Sequence, residues 1–323
     1  MALRGVSSAA AKPQAGIKYN RMGGLWKDVV RDRWLYFMFL PILCYFLLFK
    51  YGAMYGIVIA FKDFRMADGI FGSPWVGMKY FTRLFQSGDF YGILGNTLRL
   101  SFYSIIFGFP VPIILALLLN EVRNARFKKT VQSIIYVPFF ISWIVLGGII
   151  TSLLSPSTGL VNNLIKGFGG TPIYFMANNG WWQFVYILSG IWQGAGWGTV
   201  IYLAAIAGID TEIYEAAVID GANRFRQMIN ITLPSIKITI AILFILRMGS
   251  VLEVGFDQIF ALQNEMVTDV SEVISTYEFR AGVQGMQYSQ TTALGLFKGI
   301  VNLIMIGSAN FAVSKMTDGE AGL

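Results

Sequence analysis

The sequence predicts an all-α integral membrane protein with six transmembrane helices, and three observations carry that expectation. Of its 323 residues, 55% are apolar, 15% aromatic and only 13% charged, against about 25% charged in ordinary soluble domains. Six apolar runs are long enough to supply the roughly 20 helical residues that cross a bilayer core. The lysines and arginines, behind a net charge of +7, gather on one side of those runs. The charge therefore reads as the positive-inside asymmetry of a membrane protein rather than as a nucleic-acid surface.

The first run begins at Trp34, passes Leu47 and Leu48, and continues beyond Lys50 toward Ile59. The second, residues 98–119, contains Pro110 and Pro112, which in a membrane helix mean a kink, because neighbouring helices satisfy the freed carbonyls. The third, 131–154, contains Pro138; the fourth, fifth and sixth cover 184–207, 236–262 and 293–313. Segments 1–33, 120–130, 208–237 and 315–323 hold fifteen of the 25 lysines and arginines, whereas 62–95, 155–181 and 263–291 hold six. Both termini are thus expected in the cytoplasm, with the chain embedded as a multi-pass membrane protein in contact with lipid.

This divides the chain into a cytoplasmic tail, 1–33, a six-span domain, 34–314, that includes a polar cytoplasmic segment at 208–235, and a short tail, 315–323. No early apolar run with a small-residue cleavage site marks a signal peptide. Residues 25–33 instead set Leu25, Trp26, Val29 and Val30 on one helical face and Lys27, Asp28, Arg31 and Asp32 on the other, the pattern of a helix lying in the interface.

Counting removes whole classes of chemistry. Histidine is absent and Cys44 is the single cysteine, so histidine zinc sites, Ser-His-Asp or Cys-His triads and disulfide frameworks are excluded. No stretch matches the phosphate-cradling patterns G-x-x-x-x-G-K-[ST] or G-x-G-x-x-G. The chain therefore offers no catalytic, metal or cofactor site, and any nucleotide that drives it must bind another subunit.

The polar segment between the fourth and fifth runs is the most informative. Asp210 or Thr211 can cap a short helix reaching Asp220, Glu212 places negative charge near its positive end, and Gly221 punctuates its C-terminus. A second short helix follows, with Phe225, Met228 and Ile229 at i, i+3 and i+4 facing inward, until Pro234 reorients the chain. Helix signals alone leave this an ordinary amphipathic loop. Its spacing is more specific: Glu215-Ala216-Ala217, Gly221, Ile231, Leu233 and Pro234 resemble the cytoplasmic signature of binding-protein-dependent ABC importer permeases.

The resemblance extends through Met54-Tyr55-Gly56, Phe61-Lys62-Asp63-Phe64, Gly72-Ser73-Pro74-Trp75-Val76-Gly77, Asn96-Thr97-Leu98, Gly255-Phe256-Asp257-Gln258-Ile259, Tyr288-Ser289 and Gly295-Leu296-Phe297-Lys298. Together these are similar to a subgroup serving complex oligosaccharides, including aldouronates and alginate fragments. Asn264-Glu265 departs from the Asn-Pro expected there. The resemblance implies the six-helix type I ABC importer permease fold and a chain without ATPase activity of its own. It further implies a second homologous permease, two ATP-binding subunits holding ATP and Mg²⁺, an extracellular or periplasmic solute-binding protein, and an oligosaccharide cargo. Glu215, Ala216, Ala217, Asp220, Gly221, Leu233 and Pro234 would form the ATPase-docking segment.

For the passage itself, the fourth run carries Gly190, Gly194 and Gly198 at four-residue spacing beside Trp192, Gln193 and Trp197. Such glycines ordinarily mean close helix packing; a tryptophan face also suits a sugar ring. Ionisable groups in spans usually face a partner or a wet cavity, which marks Arg247, Glu253, Asp257 and Lys298. One reading pairs Glu253 with Lys298 across two helices; the other gives Arg247 an anionic sugar. Trp192, Gln193, Trp197, Arg247 and Glu253 are therefore the candidate substrate pathway, for an acidic oligosaccharide such as alginate or another oligouronate. A neutral complex oligosaccharide is the alternative cargo. A polytopic membrane glycosyltransferase is the alternative of a different class, but its acidic cluster would have to be the docking segment itself.

Overall fold

The computed structural model describes residues 31–316, so most of the expected interfacial helix at 25–33 lies outside the described residues. Among those described, the chain is helical apart from its connections, and its extended pairing is an isolated antiparallel bridge between Lys62 and Trp75. The first helix, α1 (Arg33–Tyr45), continues through a wide turn and a tight one to Phe61, 29 residues in all, and no residue between Arg33 and Met54 is buried.

The second expected span is one 34-residue helical stretch, α2 (Gly88–Tyr103) leading through a wide turn at Ser104–Gly108 into α3 (Pro110–Glu121). Pro110 and Pro112 lack N–H donors, so the regular ladder cannot pass this point unchanged. The third span corrects the sequence expectation of a single run. It is α4 (Ala125–Tyr136), a tight turn at Val137–Phe140, and then α5 (Trp143–Leu153), bent by 102°. Pro138 interrupts the ladder, and the Ser142 hydroxyl accepts from the Val145 N–H to start the new helix.

The fourth span, α6, is an unbroken 29-residue helix, Asn179–Ala207, started by the Asn178 side chain accepting from the Gly180 and Trp181 N–H groups. The polar segment folds as α7 (Thr211–Ile219) and α8 (Arg224–Gln227), and Ile236 marks a 57° bend into α9 (Lys237–Met248). The fifth run also proves to be two pieces: α9 stops at Met248, and Gly249, Ser250 and Gly255 carry the chain through turns into α10 (Phe256–Leu262). These residues are poor helix formers, and their sum outweighs an apolar average. The last span is α11 (Tyr288–Met316).

Three of these stretches are long and apolar enough to cross a membrane, five if each bent pair is one span. α6 is not among them, although at 29 residues it is long enough, because glycine, tryptophan and glutamine along it dilute its hydropathy. It also links two separate cores. At its start, Trp182 and Tyr186 pack with Leu100, Val254, Ile259 and Val273; at its end, Tyr202 and Ile206 pack with Ala116, Leu117 and Ile236. Those ends lie about 36 Å apart along the helix. Trp182 is fully buried, donating its indole N–H to the Leu262 carbonyl at 2.9 Å. In the 263–291 connection, burial lifts the Glu272 carboxyl above its ordinary range even though Arg280 pairs with it at 2.5 Å.

Candidate functional site: a helix-walled cavity and a protruding helical hairpin

The α6 glycines divide into two faces. Gly190, Gly194 and Gly198 border a cavity of about 460 Å³ whose other walls are Ser104, Gly108 and Pro112 from the second span, Trp143 from α5, and Arg247, Glu253 and Gln258. A Cβ on Gly198 would meet the Pro112 ring at 3.0 Å, and one on Gly190 the Gln258 amide at 3.1 Å, whereas one on Gly194 would meet nothing within 4 Å. The close approach belongs to Gly196, on the opposite face: its Cβ would stand 2.0 Å from the Ile135 carbonyl oxygen. Close packing and an open cavity are thus both present, on opposite sides of one helix.

Of the residues singled out for the passage, Gln193, Arg247 and Glu253 border this cavity. Trp192 and Trp197 do not; both are half exposed, and Trp197 stacks on Phe139 with ring centroids 4.8 Å apart, over the break in the third span. The Gln193 amide donates to the Phe139 carbonyl at 3.3 Å, so it too braces that break. Asp257 is exposed and lies outside the cavity wall. The pairing of Glu253 with Lys298 is corrected: Lys298 bonds Glu278 at 2.8 Å, both only about one fifth exposed. Among the described residues no carboxylate pairs with Arg247, although Glu253 shares its cavity.

Sequence reading passed over Tyr186, Ser104 and Gln258 as lining residues. Gln258 had a signal, since it sits in the quoted 255–259 stretch beside the flagged Asp257. Only the turn before α10 decides which of these two neighbours faces the cavity.

The hairpin at 210–235 is held by its base and bare elsewhere. Asp210 caps α7 by accepting from the Glu212 N–H at 3.0 Å. At the other end, the Ala222 N–H donates to Ala217 and the Gly221 N–H to Val218, while Gly221 takes φ +75°. That double bond around a left-handed residue is a Schellman stop, a conformation natural to glycine. Asn223 then caps α8. Tyr214 bonds Thr232 at 2.8 Å, Arg224 pairs with Glu121 at the end of α3 at 3.0 Å, and Met228 and Leu233 pack onto the inner core. Phe225 does not pack inward as its spacing suggests; it is 69% exposed, and Ile219 is 87% exposed. Glu215, Ala216, Asp220 and Gly221 are exposed too, and no described side chain pairs with Glu215. Apolar side chains left bare around an unpaired carboxylate make a surface suited to another protein.

Residues 108–317 match the family described as binding-protein-dependent transport system inner membrane component. The chain is 49% identical to the polygalacturonan/rhamnogalacturonan transport system permease protein YteP of Bacillus subtilis, covering 91% of each chain. It is 45% identical to protein LplB of the same organism, covering 88% of this chain and 90% of that one. Its fold matches a chain of a bacterial ABC transporter involved in import of the acidic polysaccharide alginate, with TM-score 0.84, 43% identity, and coverage of 91% of this chain and 99% of that one. A second solved match, 42% identical at TM-score 0.84, is from an alginate transporter in complex with an alginate pentasaccharide-bound periplasmic protein.

Proposed function

The chain belongs to the family of binding-protein-dependent inner-membrane transport components, as a sugar-importer permease with the type I fold and no ATPase site of its own, and from that premise we propose that its cargo is an acidic oligosaccharide. The observation that carries this reading is Arg247, a guanidinium on the wall of a membrane-embedded cavity with no ion-pair partner among the described residues. Arg247 is exposed on that wall, so an anion entering the cavity can reach its guanidinium, and a uronate carboxylate offers two oxygens to its planar donors. Two relatives point the same way, since polygalacturonan and alginate are both polymers of carboxylated sugars.

The test is uptake by the reconstituted transporter. A charge-assisted hydrogen bond contributes about 1.5 to 3 kcal/mol, so Arg247→Gln should cut oligouronate uptake about tenfold to a hundredfold more than uptake of a neutral oligosaccharide. Equal losses for the two sugars would reassign Arg247 to holding the helices, and the neutral cargo would stand.

The rest of the machine follows the same premise. A second, homologous permease completes the passage, two ATP-binding subunits supply ATP and Mg²⁺, and a solute-binding protein delivers the sugar from outside. Glu215, Ala216, Ala217, Asp220 and Gly221 meet an ATP-binding subunit, with Leu233 and Pro234 setting the angle of the hairpin. Both termini, 120–130 and 208–237 then face the cytoplasm. In a Cys44→Ser background, Phe168→Cys, 91% exposed, should react with an impermeant thiol reagent added outside, and Ile219→Cys only after the membrane is opened. The reverse pattern overturns this topology.

A further inference from the structure

We infer that Gln258 is a specificity-determining residue of the passage, an acceptor that reads a sugar hydroxyl, and that Gly190 is the residue that keeps it open. This inference rests on the cavity being the sugar's route, and it adds what the guanidinium cannot supply. Gln258 is 6% exposed, and its amide nitrogen donates to the Tyr186 carbonyl at 2.6 Å and to the Ser189 hydroxyl at 3.2 Å. The Ser189 proton goes to that same Tyr186 carbonyl at 3.2 Å, which fixes its oxygen as an acceptor toward Gln258.

Both amide protons are therefore consumed, and the amide cannot flip without facing its oxygen to the Tyr186 carbonyl. What remains is Oε1, to which no described residue donates. The space beside it exists because glycines flank it: a Cβ on Gly190 would stand 3.2 Å from Oε1 and one on Gly255 3.8 Å away, and all three residues border the cavity. A preorganised oxygen in that setting gains from a hydroxyl donor and repels a carboxylate. The cavity thereby has one wall for donors only, at Arg247, and one for an acceptor, at Gln258. A sugar that offers an anion to the first and a hydroxyl to the second satisfies both, which distinguishes a uronate from a merely charged chain.

The experiment compares an oligouronate with its monodeoxy analogues, each delivered by the same binding protein to the reconstituted complex, and reads the ratio of uptake rates. The ratio is internal to each variant, so it does not depend on how much protein folds. The wild type should favour the parent sugar over one deoxy analogue about threefold to tenfold, the size of one neutral hydrogen bond. Gln258→Met should bring that one ratio close to unity while leaving the other analogues' ratios unchanged. Gly190→Ala, which presses a methyl onto the held amide, should lower the same ratio, and it carries the test if Gln258→Met fails to assemble. An unchanged ratio in the variants that assemble overturns the inference while the acidic cargo stands. If the wild type moves only neutral sugars, the cargo reading fails, and the same ratios measured on neutral deoxy analogues still decide the role of Gln258.

Discussion

The hairpin at 210–235 and the cavity beside α6 are built on opposite plans. The hairpin is contiguous, its caps, its left-handed stop and its Tyr214–Thr232 bond come from its own residues, and it touches the rest of the chain through Arg224 and a few apolar side chains. The cavity takes walls from the second, third, fourth and fifth spans, and its shape depends on backbones pressed within side-chain distance of one another. Local stability with little packing suits a part that must meet another protein. Dense packing suits a wall that must hold polar groups at fixed positions in a low dielectric.

That contrast implies that single atoms matter most on the packed side, and the largest expected effect tests it there. Gly196→Ala would place a methyl 2.0 Å from the Ile135 carbonyl, backbone that cannot rotate away. The cost should be at least about 3 kcal/mol, near the upper end for overpacking. Gly194→Ala, two residues along and facing open space, should be close to neutral for stability. Thermal melting of the purified complex checks the pair, and equal effects of the two substitutions would break the two-face description of α6.

On the hairpin side the next effects should fall on coupling and leave folding intact. Glu215 is exposed and unpaired, so Glu215→Ala costs the isolated subunit little. Losing one charge-assisted contact should still weaken ATPase docking about tenfold to a hundredfold. Gly221→Val places a branched side chain at φ +75°, a strain of about 1 to 3 kcal/mol that the hairpin would relieve by giving up its stop. The measurement for both is ATP hydrolysis stimulated by loaded binding protein, together with co-purification of the ATP-binding subunits. Wild-type values throughout would remove the docking role from this segment.

The same contrast explains what the sequence made legible. Asp210 and Gly221 announce helix ends because caps and stops are local chemistry, so the hairpin could be read directly, although its Asn223 cap was passed over. Six apolar runs were legible because bilayer thickness sets their length. Their interruptions were not: Pro138 gives no angle, and Gly249 to Gly255 look like continuing span to an average over hydropathy. At the cavity, sequence brought Gln193, Arg247 and Glu253 forward by their polarity, but Trp197 spends its face on Phe139 and Lys298 its charge on Glu278. Which of several polar groups face one space depends on helix rotation and on partners far away in the chain, and no local spacing encodes that.

The smallest expected effect concerns the bond that ties α7 to the base of the hairpin. The Tyr214 hydroxyl bonds Thr232, and Thr232 is 1% exposed beside Leu233, which packs on the core that receives the end of α6. If the hairpin drives the cavity wall, part of its motion passes through this bond into Ile206 and the helix above it. Tyr214→Phe keeps the ring and removes only the hydroxyl, at about 0.5 to 1.5 kcal/mol. Basal ATP hydrolysis and subunit co-purification should then stay within about twofold of wild type, while stimulation by loaded binding protein falls about twofold to tenfold. A Thr232→Val partner variant should show a similar loss, and the double variant little more than either alone, as two ends of one bond require. Fully additive losses would mean that Tyr214 and Thr232 act separately, leaving Arg224 with Glu121 and the packing of Met228 as the remaining links between hairpin and passage.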